Sequence, residues 1–181
     1  MKKITQILNF GVLLLFVCTL QLSAQNCNFS KDETDKFSGD RVLHTKPVNV
    51  ISKTIKLKKV YTIPKIEMQI KYENNKYLLS LAYHYNGGAS IVNTNNKLIL
   101  LLADGSKVEA PCLQDVPSME SKLTGITVYS YNFGISVSDF KTLTNNDITD
   151  IKMTAYTNPV EFSIDNNIKT SELFQCINSN K

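Results

Sequence analysis

From Arg41 onward, apolar and polar residues alternate with a period of two along most of the chain. That period is the signature of strands with one buried face. The clearest run sets Ile66, Met68, Ile70 and Tyr72 against Glu67, Gln69, Lys71 and Glu73. Asn74-Asn75 follows, and both residues tolerate the positive φ of a type I′ turn. Taking them as the loop fixes a register. Glu73 then faces Lys76, Tyr72 faces Tyr77, Ile70 faces Leu79, Met68 faces Leu81 and Ile66 faces Tyr83. Every apolar pair lies on one side, and a one-residue slip would turn them all to solvent.

A second hairpin is predicted from Leu98 to Ala103, through Asp104-Gly105, and back from Ser106 to Ala110. Leu98 to Leu102 is apolar at every position, which predicts a central strand covered on both faces. A short strand, Ser90 to Val92, lies between Gly87-Gly88 and Asn93-Thr94-Asn95-Asn96. Residues 111–125 lack a period and read as a loop with one helical turn around Ser118 to Leu123. Tyr129, Tyr131, Phe133, Ile135 and Val137 then share one strand face, with Ser130, Asn132, Gly134 and Ser136 on the other. Ser138 is the expected N-cap of a short helix that buries Phe140 and Leu143 and ends at Asn145-Asn146. Strands follow at Ile151, Met153 and Ala155, and from Glu161 to Ile164. The tail, Thr170 to Ile177, is an amphipathic helix with Leu173, Phe174 and Ile177 inward. Eight or nine short strands and two short helices predict a mainly β fold, an antiparallel sandwich or partly closed barrel, with α+β as the alternative.

The N-terminus changes the picture of where this domain works. Lys2 and Lys3 precede an apolar run from about Phe10 to Leu20, and Ser23-Ala24-Gln25 closes it. This is the pattern of a secretory signal peptide, residues 1–24, cleaved after Ala24 or one residue later. The run is shorter than the ~20 residues of a spanning helix. Lipidation needs a small residue before the cysteine, but Val17 precedes Cys18 and Asn26 precedes Cys27. Residues 25–40 read as a polar N-terminal arm, with Phe29 and Phe37 as anchors, and 41–181 as one β-rich domain. The expected location is exported, periplasmic or secreted, with no transmembrane segment after cleavage.

The formal charge of +4 includes Lys2 and Lys3, so processing leaves a mild balance. Arg41 is the sole arginine, which argues against a nucleic-acid partner. Of four cysteines, Cys18 leaves with the signal, and Cys27, Cys112 and Cys176 remain. Domain termini tend to lie close together, which makes Cys27–Cys176 the preferred disulfide; three unpaired thiols are the alternative.

Candidate chemistry is sparse. His44 and His84 are the two histidines, with no HExxH, paired-cysteine or CxxC context. No metal site or cofactor is therefore expected. GxSxG and a glycine-rich phosphate loop are absent. Asp104, Asp147, Asp150 and Asp165 sit at turns or element ends, where Asp serves the backbone. Tyr129, Tyr131, Tyr85 and His84 are the candidate ligand-binding residues, since solvent-facing tyrosines make a platform for sugars, peptides or lipid headgroups. The spacing of Tyr129 and Tyr131 with Phe133 favours the inward alternative. His84 is expected partly exposed beside Ala82, Ser80 and Leu78.

The signal ending Ser23-Ala24-Gln25 resembles those of secreted proteins of the Bacteroidetes group of bacteria. The lysine- and asparagine-rich, arginine-poor composition is similar. So is the helix-then-strand pattern through Phe140, Leu143, Ile148, Ile151 and Met153, which resembles that of small exported proteins of that group. The resemblance implies no activity and carries over no site residue. Without a catalytic constellation, the reading that fits is a non-enzymatic module binding an envelope, glycan or protein partner. A small hydrolase with dispersed catalytic residues and an envelope assembly protein acting through a sheet edge are the alternatives.

Overall fold

The computed structural model describes residues 27–51, 56–57, 60–61, 65–86, 91–92, 97–114, 116–117, 119–120, 126–155 and 158–181. The signal segment 1–24, Gly87-Gly88 and Asn93–Asn96 lie outside them. The strands are β1 (Phe29–Thr34), β2 (Arg41–Thr45), β3 (Val48–Asn49), β4 (Lys56–Leu57), β5 (Val60–Tyr61), β6 (Lys65–Glu73), β7 (Lys76–Asn86) and β8 (Ile91–Val92). They continue as β9 (Lys97–Leu102), β10 (Lys107–Pro111), β11 (Val116–Pro117), β12 (Met119–Glu120), β13 (Ile126–Ile135), β14 (Ile148–Ala155) and β15 (Asn158–Ser163). Two helices complete the order, α1 (Val137–Leu143) and α2 (Thr170–Asn180).

Two antiparallel sheets carry the fold. The larger runs β1-β2-β6-β7-β13-β12, with β3 also on β6, and the smaller runs β10-β9-β14-β15. Each order has two distinct ends, so among the described residues the sheets form an open pair and no closed barrel. The β6–β7 hairpin has the register that its alternation predicts, from Glu73 opposite Lys76 to Ile66 opposite Tyr83. Asn74 and Asn75 hold it with φ of 51° and 57°, the left-handed conformation that asparagine tolerates. Asn75 also accepts a hydrogen bond from the Tyr72 hydroxyl at 2.8 Å. In the second hairpin, Leu98 faces Ala110 and Leu101 faces Lys107, and Gly105 takes φ 83° at the turn.

The inward positions of the two sheets form one core. Ile66, Met68, Ile70, Leu79 and Leu81 of the large sheet share a cluster with Leu98, Leu100, Leu102, Ile151 and Met153 of the small one. The Tyr83 and Phe162 rings meet across the layers at 5.6 Å. Phe140 of α1 stacks on Tyr77 at 3.8 Å and meets Phe174 of α2 edge-on at 5.7 Å. Lys169, at the N-cap of α2, makes no side-chain cap bond; a neighbouring segment supplies one instead. The Asp147 carboxylate accepts the Ser171 backbone N–H at 3.0 Å and its hydroxyl at 2.8 Å. The buried Thr170 hydroxyl accepts the Ile148 N–H at 2.7 Å. Burial would raise the Asp147 carboxyl, but Ser171 and Lys169 outweigh it and hold it below its ordinary range.

Cys27 and Cys176 are disulfide-bonded, with Cα atoms 5.4 Å apart across a sequence separation of 149. The bond ties the segment before β1 to α2. Cys112 is a buried free thiol.

Four local expectations are corrected. Residues 29–34 of the polar arm form β1, paired with β2; its charged side chains belong to an edge strand, and of the two anchors Phe29 packs on the core while Phe37 is exposed. The cap of α1 is Ser136, whose hydroxyl accepts the Asp139 N–H. Val137 is therefore the first helical residue, 74% exposed, and no longer on the β13 face. Met119-Glu120, placed in a helical turn by the sequence, pair with β13. Finally, Ile99 and Leu101 on the outer side of β9 are half-buried, while Leu98, Leu100 and Leu102 are buried.

Candidate binding face

Antiparallel pairing puts one set of side chains from β6, β7 and β13 on the face turned away from the core. The ladders set these residues in rows. Lys65, His84 and Val128 form one, Glu67, Ala82 and Ser130 the next, then Gln69, Ser80 and Asn132, then Lys71, Leu78 and Gly134. Small residues down β7 and β13 leave a shallow hollow of about 150 Å³, bordered by Glu67, Gln69, Lys71, Ser130, Asn132 and Pro47. The Ser80 hydroxyl donates to the Asn132 side-chain oxygen across its floor. Gln69 is fixed from behind, its amide donating to the Thr45 carbonyl at 2.8 Å and the Ser30 hydroxyl at 3.0 Å.

Gly134 has a steric role here. A Cβ at this position would lie 3.0 Å from the Leu113 Cδ2, so the glycine lets Leu113 fold over the edge of β13. The Leu113 N–H donates to the Asn132 carbonyl at 3.0 Å, which pins that crossing. Leu113, an exposed residue, thus forms an apolar margin beside the polar hollow, while Leu78 is buried.

A histidine–glutamate pair stands at each end of the face. The His84 Nε2 lies 3.3 Å from Glu67 Oε2, and Lys65 Nζ lies 2.6 Å from the other carboxylate oxygen. Lys65 and then His84 hold the Glu67 carboxyl below its ordinary range. At the far end, His44 Nε2 lies 3.1 Å from Glu73 Oε2. Burial depresses the His44 titration against the pull of Glu73.

The sign of that depression gives a measurable consequence. The unfolded chain binds more protons than the folded one in the window just below ~6.5, the ordinary histidine value. The stability contribution is complete above that window and is lost as pH falls through the folded value. Urea unfolding at about pH 5.5 should show a lower midpoint than at about pH 7.5. His44→Gln should narrow the difference; an unchanged difference would assign it elsewhere.

The structure separates the residues singled out from the sequence. Tyr129 and Tyr131 are 6% and 2% exposed and face the core, where their rings stack at 6.3 Å and Tyr131 stacks on Phe133 at 5.8 Å. Burial drives the Tyr131 hydroxyl far above its ordinary range. These two rings therefore take the inward alternative and offer no solvent platform. Tyr85 lies on β7 opposite Thr127. His84 is partly exposed, on the opposite face from Tyr129 and Tyr131. The face that does gather polar groups uses Glu67, Gln69, Ser130 and Asn132, which the sequence reading passed over as outward strand positions. The signal for them was the β13 alternation itself: its polar set, laid beside that of the hairpin, is the face.

No group of three or more His, Cys, Asp or Glu among the described residues is arranged to hold a metal ion. No described helix is long and apolar enough to cross a membrane. No family model matches the chain, and neither the curated proteins nor the solved structures contain a significant match.

Proposed function

We propose that this is an exported, disulfide-braced β domain that acts by binding, with the outer face of β6, β7 and β13 as its ligand surface. The observation that carries this reading is the convergence of amide and hydroxyl groups from three strands on one hollow. Gln69 and Ser80, whose N–H and O–H groups are engaged within the fold, offer acceptor oxygens, Asn132 offers its amide N–H donors, and Ser130 offers a hydroxyl. Glu67 and Lys71 offset each other in charge, so the hollow favours an uncharged, hydroxyl-rich ligand, a neutral glycan of the envelope or its surroundings. Ala82, Pro47 and the exposed Leu113 supply the apolar contacts for sugar C–H faces. The disulfide supports an oxidising compartment, in keeping with the signal-like N-terminus.

The hydrolase reading lacks support on this face. The Ser80 hydroxyl donates to Asn132 and sits two ladder rows from His84 on β7, well out of hydrogen-bond reach of the imidazole. The edge-assembly reading is opposed at one edge of each sheet. β1 carries Lys31, Asp32 and Glu33 and a register shift, and β15 carries Pro159, devices that discourage strand addition.

Backbone amide shifts recorded against a panel of neutral and charged oligosaccharides test the proposal. The expected result is perturbation confined to the rows of Glu67, Gln69 and their neighbours, with neutral members strongest. Gln69→Ala combined with Asn132→Ala should weaken binding roughly tenfold. Shifts elsewhere, or none with any member, would overturn it.

A further inference from the structure

We infer that the outer face of the small sheet is a self-complementary docking surface for a second copy of this chain. The ladders place Lys107, Leu101 and Asp150 in one row and Glu109, Ile99 and Lys152 in the next. Ile99 and Leu101 form a half-buried apolar centre. On β10 a cation sits above an anion; on β14 the order is reversed. Lay a second copy on this face about a two-fold axis along β9. Lys107 then meets the copy's Asp150, Glu109 meets its Lys152, and each apolar residue meets itself. A two-fold axis across the strands also matches opposite charges, Lys107 with Glu109 and Asp150 with Lys152. Both in-plane arrangements are complementary, and both give an isologous, closed dimer.

The existing pairs do not oppose this. Lys152 lies 2.5 Å from Glu161 and Lys97 3.8 Å from Glu109, with every one of these side chains well exposed, and such pairs are readily exchanged. Asp150 accepts a bond from the Ser163 hydroxyl at 2.7 Å, which leaves carboxylate capacity for a lysine. A four-stranded patch at ~4.8 Å spacing, about five residues long at ~3.4 Å rise, covers roughly 300 Å² per copy. Stable interfaces need about 800 Å² per copy, so the dimer is weak and forms at high local concentration. It leaves the outer face of each large sheet free, on opposite sides of the pair. The inference does not rest on the glycan reading.

Sedimentation equilibrium up to roughly millimolar concentration at low salt tests it. The wild-type chain should dimerise, more weakly as salt rises. Lys107→Glu places like charges together in either arrangement, twice per dimer, and should raise the dissociation constant at least tenfold. Adding Asp150→Lys restores association if the axis runs along β9; adding Glu109→Lys restores it if the axis runs across the strands. These side chains are at the surface, and unchanged melting of each variant separates loss of association from loss of fold. A monomer at every concentration, a Lys107→Glu variant that dimerises like the parent, or failure of both second substitutions to restore it would each overturn the inference.

Discussion

Replacing both Cys27 and Cys176 by serine should lower the stability of the domain by about 4 kcal/mol. The bond closes a loop with a sequence separation of 149, and the stabilisation from restricting the unfolded chain grows with loop length. A domain of this size has a total stability of about 5–15 kcal/mol, so the loss is a large share of it. The melting midpoint should fall by about 10 °C. Reductant added to the parent chain should reproduce the effect, since Cys112 is already a free thiol. A loss below about 1 kcal/mol would mean that the bond hardly restricts the unfolded chain.

Phe174→Ala should cost about 3–5 kcal/mol in denaturant unfolding. The side chain is fully buried and stands edge-on to Phe140, which stacks on Tyr77. Its removal therefore opens a cavity where α2, α1 and the large sheet meet. Near-parental stability would show that α2 is not seated on this cluster. Because Phe174 and Cys176 lie on the same helix, the two changes should not add. Without the disulfide, α2 is held by Phe174 together with Ile177 and the bonds of Ser171 and Thr170, and a double-mutant cycle should report coupling.

The parts of this fold written in local pattern were legible from the sequence. The β6–β7 register follows from strict alternation and an Asn-Asn turn whose residues accept positive φ. The pairing of Cys27 with Cys176 followed from the tendency of termini to meet, and the structure places the two side by side. β1 was hidden because Lys31, Asp32 and Glu33 look like a solvated loop; an edge strand with little to bury needs no apolar alternation. The start of α1 was misplaced by two residues because Ser136 and Ser138 are equivalent as caps on paper. Ser136 holds the position because β13 turns there, ending with buried Ile135. The candidate face was the least legible. Glu67, Gln69, Ser130 and Asn132 carry no motif, and only the pairing of β7 with β13 brings them into one hollow. The apolar run of β9 called for cover on both sides. The core supplies it on one, and a second copy is proposed to supply it on the other.

The disulfide also determines how the domain bears force. A pull applied through the two ends of the chain enters at Cys27 and leaves at Cys176, and the S–S bond carries it directly from one to the other. The ladders of both sheets lie inside that covalent shortcut and feel none of the load. Tension can draw out only the residues outside the bond, among them 177–181 at the end of α2. A domain braced in this way could be held by one end and pulled by the other without parting β1 from β2, and its outer sheet faces would keep their shape under strain.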